Sequence, residues 1–114
     1  MSLKSEIKVG YSTIEIEKRA SNFSTTNMAD VYGQYLPREN KIEIQPGLSD
    51  IDEANTLLHE ILHAAVWVSS INQSGQPLED SDSEELVVNS LTNILTKVLI
   101  DNKWLLPYLT KKLV

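Results

Sequence analysis

The chain has no cysteine among its 114 residues, which excludes a disulfide framework and any thiolate metal site. Histidine is nearly as scarce, with two in all, so a bound metal would have to use imidazole and carboxylate ligands. No apolar run approaches the roughly eighteen residues of a transmembrane span, and the polar N-terminus carries no signal-peptide core. A cytoplasmic protein with no membrane contact is therefore expected. Basic residues are the minority charge, ten against sixteen acids for a net charge of −6, and they are scattered along the chain. That balance speaks against a nucleic-acid partner, because phosphate contacts need clustered Lys and Arg. Internal repeats and low-complexity segments are also lacking.

What remains is an ordinary globular composition, 41% hydrophobic and 23% charged, at a length that suits one domain over residues 1–114 with a modest core. Ile7, Val9 and Tyr11, then Ile14 and Ile16, alternate as two short strand-like runs interrupted near Gly10. Residues 20–27, rich in Ser, Thr and Asn, read as a loop. Val31–Leu36 and Lys41–Gln45 read as further strands, joined through Pro37-Arg38-Glu39-Asn40 as a hairpin. Ile42 and Ile44 alternate with Lys41, Glu43 and Gln45, the pattern of a sheet covered on one side. A helix is expected from Ser49 or Asp50 to about Ser70, its start marked by Asp50 and Glu53. A second is expected from Asp82 or Ser83 to about Ile100, and a short third beginning at Pro107. The fold class is α+β: a short antiparallel sheet of about three strands packed on a central helix and a second long helix.

Both histidines fall in one stretch of that central helix, His59-Glu60-Ile61-Leu62-His63. This is the HExxH pattern, in which two imidazoles bind zinc and the glutamate acts as general base. Residues i and i+4 lie about 40° apart around a helix and one turn along it, so His59 and His63 can converge on one ion. Glu60 projects beside the metal, where a carboxylate can take a proton without occupying a coordination position. Glu60 is also the only charge between Glu53 and Glu79. A helix that is apolar nearly all round belongs inside a protein, and polar groups on it need partners.

A catalytic zinc site calls for a third protein ligand, and with no third histidine it must be acidic. Glu79, Asp80, Asp82, Glu84 and Glu85 all lie at the start of the second helix. Its apolar stripe, Val88, Leu91, Leu95 and Val98, extends backward in steps of three and four to Glu84. Glu84 is the expected ligand, with Glu85, about 100° round the helix, as the alternative. The remaining acids suit a solvated helix N-terminus.

The segment Leu57–Ala64, followed some twenty residues later by a Glu-bearing helix, resembles the small gluzincin-type zinc peptidases. It is most similar to the short phage and bacterial members related to the ImmA/IrrE group. The hairpin from Tyr32 to Ile44 resembles their lead-in to the active helix, and Leu91 to Asn102 resembles their second helix with its Asp-Asn ending. The likeness covers roughly residues 7–108. Lys103 departs from it, standing where the family often has proline, and neither the third histidine nor the Met-turn of metzincins is present. The resemblance implies a zincin-like domain with His59, His63 and one of Glu84 or Glu85 on zinc, and Glu60 as base. It also implies a setting in a bacterial or phage-infected cell.

The leading expectation is a zinc metallopeptidase acting on a peptide or protein substrate, which could add as a strand to the sheet edge near Tyr32–Leu36. Tyr32, Tyr35 and Tyr108 are the candidate donors to an oxyanion. Two other readings stand beside it: a non-catalytic zinc-binding phage or regulatory protein that binds a partner, and a metal-free domain with both histidines in core contacts.

Overall fold

A computed structural model describes residues 3–19 and 32–114. The 20–27 loop lies outside these residues, as does Val31. Two strands, β1 (Glu6–Val9) and β2 (Ser12–Lys18), form an antiparallel hairpin in which Val9 faces Ser12. Gly10 and Tyr11 make its tip. Gly10 stands at φ +60°, the first central position of a II′-type turn, where glycine removes the steric cost. A second hairpin joins β3 (Gly33–Leu36) to β4 (Lys41–Ile44) through a single 3₁₀ turn, Pro37–Glu39, with Asn40 left-handed at φ 50°.

The hairpins combine into one four-stranded sheet in the order β1-β2-β4-β3. The β2–β4 pairing is parallel, with Ile16 opposite Ile42. The fold is α+β, but the sheet is mixed and has four strands, where an antiparallel sheet of about three was expected. Side-chain alternation reports which face a residue occupies; it carries no information on the direction of the neighbouring strand.

Three helices follow: α1 (Asp50–Ser69), α2 (Ser81–Asp101) and α3 (Leu105–Leu113). Ser49 is the N-cap of α1, its hydroxyl accepting from the Asp52 backbone N–H at 3.2 Å. Asp80 caps α2 by accepting from Ser83 N–H at 3.1 Å. Pro107 lies in the first turn of α3, where its missing N–H leaves no helical bond unmade.

Helix α1 lies between the sheet and α2. Ile14, Ile16, Ile42 and Ile44 from β2 and β4 form the core with Ala64 of α1. A Lys18–Glu53 ion pair of 2.6 Å further ties β2 to α1. On the opposite side, Asn55 donates to Thr96 Oγ1 at 3.0 Å, while His59 and His63 meet the first turn of α2. The two helices are thus antiparallel. Helix α1 is not buried all round: Ile51 is 63% exposed and Trp67 39%. Ile51 opens onto a groove and Trp67 onto a cavity rim.

Glu43 departs from the expected solvated sheet face. Its carboxylate is buried, accepting from Arg19 Nη1 at 2.9 Å and from Gln34 Nε2 at 2.6 Å. Burial alone would raise this carboxyl; the hydrogen bonds from Arg19 and Gln34, with the Arg19 charge, outweigh burial and hold it below the ordinary value. An unfolded glutamate titrates near about 4.3. Glu43 therefore contributes stability that is fully present above that pH and is lost as pH falls through the lower folded value. Urea unfolding at neutral and acid pH is expected to show a shallower acid loss in Glu43→Gln than in the parent chain.

Candidate metal centre

One carboxylate of α2 faces both imidazoles of α1. His59 Nε2 lies 3.0 Å from Glu85 Oε1, His63 Nε2 lies 2.9 Å from Glu85 Oε2, and the two Nε2 atoms are 3.2 Å apart. His59, His63 and Glu85 form a group that could hold a metal ion. Helix spacing accounts for the first two, which sit one turn apart on α1. The third depends on how α2 is rotated against α1.

Glu84, the carboxylate expected on the ion, is placed elsewhere. Its Oε2 accepts from His63 Nδ1 at 2.6 Å and its Oε1 accepts from Asn72 at 3.0 Å. The physical reason lies in the stripe. Leu91 is 50% exposed and Leu95 40%, whereas Val88 and Thr92 are fully buried. The line facing α1 is thus Glu85, Val88 and Thr92, at i, i+3 and i+7. It is rotated about 70° from Leu91 and Leu95 on average, at about 100° per residue. A buried threonine in that line is invisible to a search for apolar residues.

The Glu84 contact sets the His63 tautomer. An ionised carboxylate only accepts, so Nδ1 carries the proton and the Nε2 lone pair faces Glu85 and His59. This is the carboxylate–histidine arrangement that orients metal-ligating imidazoles. His59 is nearly fully buried. Burial pushes its imidazole below the ordinary value; the Glu85 carboxylate opposes that, and the nearby His63 adds to it. The ring is therefore neutral, the form in which it can ligate, at neutral pH and somewhat below.

Glu60 is buried, and its carboxylate lies close under β3. A Cβ placed on Gly33 would come 2.7 Å from Thr56 Cγ2, 2.9 Å from the Glu43 carbonyl and 3.6 Å from Glu60 Oε2. Glycine at this position lets the strand approach α1 closely enough to line the site. A cavity of about 310 Å³ opens there, walled by Tyr35, Glu60, His63, Trp67, Glu84 and Glu85 among others. Of the three tyrosines considered as donors, Tyr35 lines this cavity, and its buried hydroxyl has no hydrogen-bond partner among the described residues. Burial raises its pKa, keeping the phenol protonated. Tyr32 and Tyr108 are exposed and do not line the cavity.

No family model, curated protein or solved structure matches the chain. No helix among the described residues is long and apolar enough to cross a membrane.

Proposed function

We propose that the chain is a zinc metallopeptidase of zincin type, with His59, His63 and Glu85 as metal ligands and Glu60 as general base. The observation that carries this reading is the convergence of three side chains. A tetrahedral zinc ion with bonds of about 2.0–2.2 Å keeps its ligand atoms about 3.3–3.6 Å apart. Here the two Nε2 atoms are 3.2 Å apart, while Glu85 brings Oε1 to 3.0 Å from His59 Nε2 and Oε2 to 2.9 Å from His63 Nε2. Glu85 Oε1 supports the fit in a second way. It is a buried acceptor with no hydrogen-bond partner among the described residues, and the His59 nitrogen lies 3.0 Å from it. A cation resolves that deficit. Two imidazoles and a carboxylate, without thiolate, form one of the ligand sets of catalytic zinc.

When bound, zinc would supply a Lewis acid and lower the pKa of its water to about 7. Glu60, beside these residues and at the cavity wall, is the group that would hold the proton and return it to the leaving amine. Tyr35 is the donor available to a developing oxyanion. Strand β3 is a sheet edge. Tyr32 and Gln45 form a hydrogen-bonded pair, Gln45 N–H donating to the Tyr32 carbonyl at 2.8 Å, so by alternation Gln34 and Leu36 also face β4. Gly33 and Tyr35 then direct their N–H and C=O outward. An extended peptide adding to them runs past Glu60, which is the β-augmentation mode of recognition.

The test is hydrolysis of an unstructured protein and a peptide library by the purified chain. Cleavage is expected with zinc, is abolished by a chelator and returns on re-addition of zinc. Tight zinc binding without any cleavage would instead favour the partner-binding reading. Failure to bind zinc at all would leave the metal-free domain.

A further inference from the structure

Helix α3 follows α2 after three residues, and none of its residues is buried. Nine residues are too few for a helix to persist unsupported in water. At about 100° per residue, Leu105, Leu109, Leu113 and Leu106 fall at about 0°, 40°, 80° and 100° around the axis, one narrow leucine face. Leu106 is 55% exposed and Leu113 84%. Lys111 and Lys112 lie in the last turn.

A fitting surface exists elsewhere in the fold. The outward side of α1's first three turns and the last turns of α2 enclose an apolar groove of about 460 Å³, lined by Ile51, Ala54, Leu58, Ile61, Leu99 and Ile100. At its mouth stands one exposed carboxylate, Asp50.

We propose that this groove is filled by α3 of a second copy of the chain, in a reciprocal dimer. The leucine face enters the groove in helix-in-groove fashion, with anchors at i, i+4 and i+8. Charge complementarity sets its direction. Lys111 and Lys112 meet Asp50, so α3 runs antiparallel to α1 and parallel to α2, with Leu109 over Ala54 and Leu105 near Leu58. The chain's own α3 does not adopt that direction. It would need residues 102–104 stretched back along α2, about 14 Å over four Cα steps. Those residues are instead wound into a turn, with Asn102 N–H on the Val98 carbonyl and Leu105 N–H on the Asn102 carbonyl, each at 3.0 Å. If it doubled back antiparallel to α2, its lysines would point away from Asp50. A reciprocal exchange of this kind closes with two-fold symmetry, each copy giving one helix and receiving one.

Light scattering across a wide concentration range is expected to give twice the 12.8 kDa of one chain, falling to one chain's mass in Leu109→Asp. Because the chain has no cysteine, Ala54→Cys and Leu109→Cys can be introduced together without competing thiols. Oxidation should yield a covalent dimer, and equal mixing of the two single variants should yield the mixed dimer. Lys111→Glu with Lys112→Glu, which leaves the apolar face intact, should shift the equilibrium towards monomer. Three results would each overturn the proposal: a monomer at every concentration, a disulfide closing within one chain between the two introduced thiols, or a dimer that persists in Leu109→Asp.

Discussion

Glu85→Ala is expected to abolish metal binding at the proposed site, and Glu84→Ala only to weaken it. Glu85 contributes the two oxygens that face His59 Nε2 and His63 Nε2. Its removal leaves two imidazoles, and zinc affinity is expected to fall by more than about 100-fold, beyond the upper end of what outer-shell changes cost. Glu84 acts through His63 Nδ1. Without it the ring keeps its place on α1 but loses the acceptor that fixes its tautomer, so affinity should fall by about 10–100-fold. Competition with a fluorescent zinc chelator reads both. Equal losses in the two variants, or a larger loss in Glu84→Ala, would mean that α2 is rotated differently against α1 from the arrangement described.

Glu60→Gln is expected to retain zinc with affinity close to that of the parent chain, because Glu60 is not one of the grouped ligands. Any hydrolysis should drop by about 10²–10⁴-fold, the usual contribution of a positioned base. Glutamine preserves the volume of this buried side chain and keeps one acceptor oxygen, so the comparison chiefly reads the lost basicity. The informative measurement is kcat at saturating substrate alongside zinc content of the same preparation. A variant that cleaves normally with full zinc occupancy removes Glu60 from the chemistry.

Much of this arrangement is legible in the sequence, for identifiable reasons. His59 and His63 are four apart on a long helix that carries no charge but Glu60 beyond its first turn, and helix geometry alone brings them together. The hairpin of β3 and β4 follows from Pro37 to Asn40 between two alternating runs. Other features depend on long-range packing and were not legible. The choice of Glu85 over Glu84 hangs on Thr92, a polar residue that takes a fully buried position, while Leu91 and Leu95 are left partly exposed. The parallel β2–β4 pairing and the Arg19 contact that helps bury Glu43 likewise arise between segments far apart along the chain. Alternation within either strand is silent on both.

The residues that could hold a metal ion come from two different helices, His59 and His63 from one and Glu85 from the next. A cation held there would act as a removable clasp on the tertiary structure. With zinc as proposed, a free level about 100 times the dissociation constant would add about 2.7 kcal/mol to the folded state. Scarcity of the ion would let the later helix part from the earlier one and expose the Val88–Thr92 seam to proteases. The abundance of this protein in a cell would then track the local zinc supply.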